Sequence, residues 1–322
     1  MRVLVTGIAG FVGSHCAKAL HAQGHEVSGL DNLNDYYSPK LKRARLEELE
    51  KTARVRFTEA DLCDKQALAR LFDEQRPERV LHLAAQVGVR YSLENPDAYV
   101  SSNVVGTLNV LECCRQAKVP RLVYASSSSV YGGSERLPYS EEDPSDRPVS
   151  LYAATKRADE LMAHAYTHLY GIQTVGLRFF TVYGPWGRPD MALWLFTEAI
   201  SSGRPIKVFN HGRMSRDFTY VDDIVAGVMA ALFSDGLDPY EVLNLGNHRS
   251  EPLTNLIAVI EKALGRRAEK KMMPLQPGDV LATYADTVRS ARKLGFQPKT
   301  SIEEGVPRFV EWYRAHPEFH SS

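Results

Sequence analysis

The sequence predicts an α/β protein: a doubly wound parallel sheet with a smaller lobe toward the C-terminus. Three observations carry this. Short apolar runs alternate with stretches of helical spacing through the first half of the chain. A glycine-spaced turn, Thr6-Gly7-Ile8-Ala9-Gly10-Phe11-Val12-Gly13, follows the first apolar run directly. Beyond Thr181 the composition shifts to Pro, Gly and aromatics, as in Tyr183-Gly-Pro-Trp-Gly-Arg-Pro-Asp190.

Val3–Val5, Glu26–Leu30, Val80–Leu83 and Leu122–Ala125 read as buried strands bounded by polar or glycine signals. Phe11–Gln23, Lys65–Gln75 and Val104–Ala117 lie between them with helix-like apolar spacing. Alternation of this kind gives a parallel sheet covered on both faces. Val175–Phe179 and Val242–Leu245 read as further strands. Residues 1–180 are therefore expected to form a dinucleotide-binding domain, to which chain around 215–247 returns. Residues 181–322 are expected to form mainly a substrate lobe. The charges of Lys40–Arg45 read as a solvated helix face.

Length and composition narrow the function. The 322 residues carry 39 basic and 39 acidic side chains, so net charge is zero. Bulk attraction to nucleic acid or an anionic membrane is not expected, and any anion site must be local. No apolar run approaches the ~18 residues of a membrane span. Arg2–Val5 already reads as a strand, which leaves no room for a signal peptide. Cys16, Cys63, Cys113 and Cys114 show no C-x-x-C spacing and read as reduced thiols of a soluble cytoplasmic protein. His21/His25, His164/His168 and His316/His320 have metal-compatible spacing, but no third ligand accompanies them, and no metal is expected.

Gly7, Gly10 and Gly13 sit between a strand and a helix, the context that gives such a motif meaning. One glycine permits the tight turn, one lets backbone approach a pyrophosphate, and one lets helix and strand pack closely. The amides and helix dipole near Phe11 and Val12 would then face phosphates. Asp31, with Asn32 beside it, follows the second strand. A carboxylate there accepts both ribose hydroxyls of an adenosine and repels a 2′-phosphate, so NAD is expected over NADP. Asp61-Leu62 would bracket the adenine. Leu83-Ala84-Ala85-Gln86, Asn103 and Phe179 complete the expected cofactor set. The architecture is thus Rossmann-like.

Tyr152 and Lys156 are four residues apart and share one face of a helix that Ser150 would cap. An ammonium beside a phenol favours the phenolate, which can act as a general base. In a chain with 15 tyrosines such spacing is cheap, and Tyr36/Lys40 matches it too. Pro39 breaks a regular helix there, whereas Tyr152 follows a serine run at the end of a strand. Ser127 is the expected hydroxyl partner of the base, with Ser129 as a second contact and Ser128 beside them. The run lacks the G-x-S-x-G turn of a hydrolase.

These residues resemble a known family. Asp31-Asn-Leu-Asn-Asp-Tyr-Tyr37, Ser126-Ser-Ser-Ser-Val-Tyr-Gly-Gly133, Ser150-Leu-Tyr-Ala-Ala-Thr-Lys156, Arg178 to Met191 and Arg216 to Asp223 are similar to segments of extended short-chain dehydrogenases of the nucleotide-sugar epimerase and dehydratase group. Within it the likeness is to the 4-epimerases of UDP-glucuronate. The resemblance implies NAD-dependent C4 epimerisation of UDP-glucuronate to UDP-galacturonate through a 4-keto sugar, with Tyr152 as base. It implies a clamp on the uronate carboxylate at Thr181 and Arg188, near Met191, with Arg90 as a further positive contact. Arg gives planar bidentate contacts to carboxylates. Arg216 is implied as the diphosphate partner, Val208 and Asn210 as flanking the uracil, and Asp279 as the uridine-ribose contact. Gln276 stands where some relatives carry Arg. The helices near Val104–Ala117 and Tyr152–Tyr170 resemble a homodimer interface. The competing readings are a UDP-glucuronate decarboxylase, another UDP-sugar 4-epimerase, a 4,6-dehydratase (whose Asp-Glu pair is replaced here by Ser128-Ser129), and a catalytically silent NAD-binding regulator.

Overall fold

The computed structural model describes residues 1–276 and 278–320. Strands β1 (Arg2–Thr6), β2 (Glu26–Asp31), β3 (Val55–Glu59), β4 (Arg79–His82), β5 (Arg121–Ser127) and β6 (Gln173–Phe179) enter one sheet in turn. Short strands β7 (Thr181–Tyr183), β8 (Ile206–Val208), β9 (Ser215–Arg216) and β10 (Phe218–Tyr220) follow outside it. The chain then returns as β11 (Tyr240–Leu245), giving the parallel order β11-β6-β5-β4-β1-β2-β3. The strand order reverses between β1 and β4, and at such a switch point a crevice opens beyond the carboxyl ends of the strands.

Side chains of β1 alternate between two cores, as strand geometry requires. Val3 and Val5 join Val27, Val123, Val175 and Leu243 under the helices Phe11–Ala22 and Val221–Phe233. Leu4 joins Leu30, Val80, Val110 and Leu122 under Lys65–Gln75 and Gly106–Gln116. Both faces are apolar, so the strands read as continuous hydrophobic runs rather than alternating ones.

A separate core forms beyond β6. Trp194, Phe309, Val310 and Tyr313 pack with Leu256, Ile257 and Ile260 between the helices Ala192–Ser201, Leu253–Leu264 and Ile302–Ala315. Trp186 abuts this core with its ring tilted against Trp312, centroids 5.1 Å apart. No helix among the described residues is long and apolar enough to cross a membrane.

One sequence expectation fails here. The helix Pro39–Thr52 does not present Lys42 and Arg45 to solvent; they are 4% and 1% exposed. Helical periodicity places them inward, and backbone carbonyls take the place of water. Lys42 Nζ donates to the Asn34 carbonyl at 2.6 Å. The Arg45 guanidinium donates to the carbonyls of Ala9, Trp186 and Gly187 and to the Tyr37 hydroxyl. A buried cation is tolerable when its donors are filled in this way.

Candidate active site

Two adjoining cavities, of about 390 Å³ and 1010 Å³, open at the carboxyl ends of the strands. They share Phe11, Tyr36, Thr181, Arg188, Met191, Arg216 and Asp279, so they form one continuous cleft.

The glycine turn forms its inner floor. Gly7 has φ +73°, a region that favours glycine, and a Cβ there would lie 2.6 Å from the Ala84 nitrogen. A Cβ on Gly13 would lie 2.1 Å from the Gly7 carbonyl oxygen. Packing of the turn on itself and on the β4 end therefore demands these glycines. The helix Phe11–Ala22 starts at Gly10 with no side-chain cap. Its first amides face the cleft as an anion-binding end. Asp31 lies at the wall, its Oδ1 accepting the Leu33 amide at 2.9 Å. Burial raises its pKa, against the pull of that hydrogen bond and of Lys42. Asn32 donates to Asp61 at 2.7 Å beside Leu62. Leu83, Ala84, Ala85, Gln86 and Phe179 line the same space. An uncapped helix end, a carboxylate at the end of β2 and a wall of small side chains fit a dinucleotide.

Asn103 does not reach the cleft. It is fully buried, with its amide group donating to the Gln86 carbonyl and to Thr155 Oγ1 and accepting from the Gln86 amide. It ties the β4 end to the helix that carries Tyr152, and so shapes the cleft from behind.

That helix, Leu151–Tyr170, is capped by Ser150, whose Oγ accepts the Ala153 amide at 3.1 Å. Tyr152 and Lys156 both line the cleft, one turn apart. Lys156 Nζ donates to the Ala125 carbonyl at 3.0 Å and to Asp159 Oδ2 at 3.2 Å. Asp159 is pushed up to about 6 by burial, which the lysine only partly offsets. His82, enclosed between Thr6 and Thr107, is pushed down to about 3, first by burial and then by the Lys156 charge. The imidazole is therefore neutral and adds no positive charge beside Lys156. Tyr99, whose hydroxyl donates to the Val87 and Gly88 carbonyls, sets its ring edge-on to Tyr152 at 6.1 Å.

The serine run lines the same cavity as Tyr152. Ser127 Oγ donates to Ser129 Oγ at 3.1 Å, and the Ser129 amide donates back to Ser127 Oγ. Ser128 lines the cavity beside them. Ser126, turned inward, donates to Glu160 at 2.6 Å and so joins the strand to the Tyr152 helix.

Thr181, Arg188 and Met191 line both cavities. Arg188 is already paired: Nε and Nη2 donate to Asp190 Oδ1 and Oδ2 at 3.0 and 2.5 Å. Tyr36 donates to the same Oδ2 at 3.1 Å. Arg90 lines only the outer cavity, where it pairs with Asp279 at 3.1 Å and lies over the Phe209 ring at 4.9 Å. Arg216 donates to the Ser215 carbonyl and faces both cavities. Val208 and Asn210 reach neither cavity. Val208 is buried in the second core, and the Asn210 amide is spent on the Arg213 carbonyl at 2.7 Å. Phe209, which lies between them in sequence, lines the outer cavity. Tyr36, Tyr37, Lys42, Val87, Phe180 and Thr283 also line the inner cavity and escaped the sequence reading. The aromatic pair in Asp31–Tyr37 was the one local signal for two of them.

Fold and cleft define a Rossmann-type dinucleotide-binding protein with a Tyr-x-x-x-Lys pair on its wall, the extended short-chain dehydrogenase arrangement. The chain belongs to the NAD dependent epimerase/dehydratase family, whose model matches residues 3–246. It is 48% identical to UDP-glucuronate 4-epimerase 3 of Arabidopsis thaliana, over 97% of this chain and 76% of that protein. It also superposes, with a TM-score of 0.92, 33% identity and coverage of 98% and 99% of the two chains, on the UDP-glucuronic acid 4-epimerase of Bacillus cereus in complex with UDP-glucuronic acid and NAD. The UDP-glucose 4-epimerase of Thermotoga maritima matches with a TM-score of 0.90 and 32% identity, over 98% of this chain and all of that one.

Proposed function

We propose that this chain is an NAD-dependent isomerase that epimerises UDP-glucuronate at C4 to UDP-galacturonate. The observation that carries this is one cleft in which Tyr152 and Lys156, the serine run, and Arg188 with Thr181 face a dinucleotide floor. The chemistry that bound NAD supplies is reversible acceptance of hydride from the sugar C4, which passes through a 4-keto sugar. Gly7 to Gly13 hold the pyrophosphate at the uncapped helix end, and Asp31 takes the adenosine ribose.

Tyr152 takes the proton of the 4-hydroxyl and later returns it. Lys156 has two of its three hydrogens committed to Ala125 and Asp159, which fixes its charge beside the phenol. Ser127, held by the Ser129 amide, turns its hydroxyl hydrogen from Ser129 Oγ to the sugar oxygen as charge develops there. Lys156, Ser127 and Tyr152 all lie on elements bolted to the sheet, so positioning needs no loop movement.

A ketone at C4 makes the uronate a β-keto acid, which loses carbon dioxide when the carboxylate bond aligns with the carbonyl π system. Arg188 and Thr181 hold the carboxylate out of that alignment. Arg216 takes the diphosphate, and Asp279 and Arg90 with Phe209 hold the uridine end in the outer cavity. In this reading residues 1–180, with β11, carry the cofactor and residues 181–322 mainly the sugar nucleotide. Exposed Val105, Leu108 and Leu161 on the helix pair support a homodimer through that face. Free Cys16, Cys63, Cys113 and Cys114 support a reducing, cytoplasmic setting.

The test is purified protein with UDP-glucuronate and no added reductant. Formation of UDP-galacturonate of unchanged mass supports the reading. A UDP-pentose with carbon dioxide would indicate a decarboxylase, and turnover of UDP-glucose alone a neutral-sugar epimerase.

A further inference from the structure

Arg188 carries a partner before any substrate arrives. Asp190, two residues on, accepts from both Nε and Nη2 in the fork geometry that guanidinium groups make with carboxylates. The pair is only partly exposed, at 20% and 27%. Burial penalises both charges, but their mutual attraction outweighs it: Arg188 is raised and Asp190 lowered from their ordinary values. The cleft therefore offers an incoming carboxylate a nearly neutral ion pair, not a bare cation.

The loop ahead of Arg188 is held from the other side by Arg45, which donates to the carbonyls of Trp186 and Gly187 immediately upstream at 2.7 to 3.1 Å. Trp186 has φ +61°, so the loop conformation rests on that clip. Asp190 has a second tether of its own, Tyr36, which comes from the segment Asp31–Tyr37 that walls the dinucleotide end. The carboxylate thus stays beside Arg188 even when the guanidinium turns away from it.

We propose that Asp190 is a specificity-determining residue, a built-in rival of the substrate carboxylate for Arg188. Selectivity for a uronate over a neutral hexose is then set by competition between two carboxylates. The arrangement weakens the grip on UDP-glucuronate, which suits a site that must release one sugar face and take the other. This inference rests on the proposed function.

The experiment measures Kd of the NAD-loaded protein for UDP-glucuronate and for UDP-glucose by calorimetry, in wild type, Asp190→Asn and Asp190→Glu. Asparagine keeps the shape and removes the charge. The expected result is that D190N binds UDP-glucuronate about tenfold more tightly relative to UDP-glucose, a change of about 1.4 kcal/mol. D190E keeps the charge and is expected to show the wild-type ratio. Retained NAD absorbance in both variants establishes that the fold persists. An unchanged or lowered preference in D190N overturns the proposal, because Asp190 would then merely support Arg188. A raised preference in D190E overturns it too, since charge would not be the cause. Failure of the functional reading shows separately, as wild-type protein that makes no UDP-galacturonate.

Discussion

Glu160 fixes the distance between the proposed base and the proposed hydroxyl. It is fully buried on the Tyr152 helix, one turn beyond Lys156. Oε1 accepts from Ser126 Oγ at 2.6 Å and Arg178 Nε at 2.8 Å; Oε2 accepts from Arg178 Nη2 at 2.8 Å and Arg157 Nη1 at 2.7 Å. Burial alone would raise its pKa, but Arg178, Ser126 and Arg157 together outweigh burial and the carboxylate stays ionised. Glu160→Gln keeps the volume, removes the charge and turns an amide donor toward guanidinium donors. Arg178, 2% exposed, is left as an uncompensated buried cation. Breaking one side of such a pair costs about 3–5 kcal/mol. An unfolding entropy of about 2.1 cal/mol/K per residue over the whole chain gives about 0.7 kcal/mol/K, so Tm should fall by about 4–7 °C. Calorimetry at fixed NAD concentration reads this, since bound cofactor adds stability of its own. Because Ser126 adjoins Ser127, kcat should fall by about tenfold or more while KM changes less. A Tm shift below about 1 °C with unchanged kcat would refute the claim that Glu160 joins helix to strand.

Four further outcomes follow from the same geometry. Tyr152→Phe should lower kcat by about a thousandfold and leave NAD bound, read by turnover and by cofactor absorbance. Arg188→Lys loses the fork; KM for UDP-glucuronate should rise about tenfold, and carbon dioxide should become measurable among the products. Gly13→Ala forces the new methyl against the Gly7 carbonyl, so copurified dinucleotide should fall sharply. His82 is neutral in the fold, with a pKa near 3 against 6.5 when unfolded. Its contribution is intact above about pH 6.5 and is lost as pH falls toward 3, because the unfolded chain binds the extra proton. At pH 5 the loss is about 2 kcal/mol, of which about 1.6 kcal/mol falls between pH 6.5 and 5, and His82→Gln should flatten the urea-unfolding stability over that interval by the latter amount.

What the sequence discloses is what lies close together in it. The glycine turn, Asp31, and the Tyr152/Lys156 pair each depend on spacings of a few residues within one strand–helix unit, and strand and helix periods place them. Groups whose role depends on distant chain are silent. Arg45 looks like one of several helix charges, yet its acceptors are Ala9, Tyr37, Trp186 and Gly187, up to 142 positions away. Asn103 carries no sign that its amide is spent on Gln86 and Thr155 rather than on a ligand. Asn210 and Val208 line neither cavity, since a short turn and the second core engage them, while neighbouring Phe209 faces the outer one. The pairing of Arg188 with Asp190 is near in sequence, but its third member, Tyr36, lies 154 positions from Asp190.

The central claim is that one carbon loses and regains the same hydrogen inside one cleft, with Tyr152 moving the proton. UDP-glucuronate deuterated at C4 tests it most directly, with the product followed by NMR in ordinary water. The account predicts UDP-galacturonate with deuterium retained at C4. Deuterium washed out into solvent would contradict it.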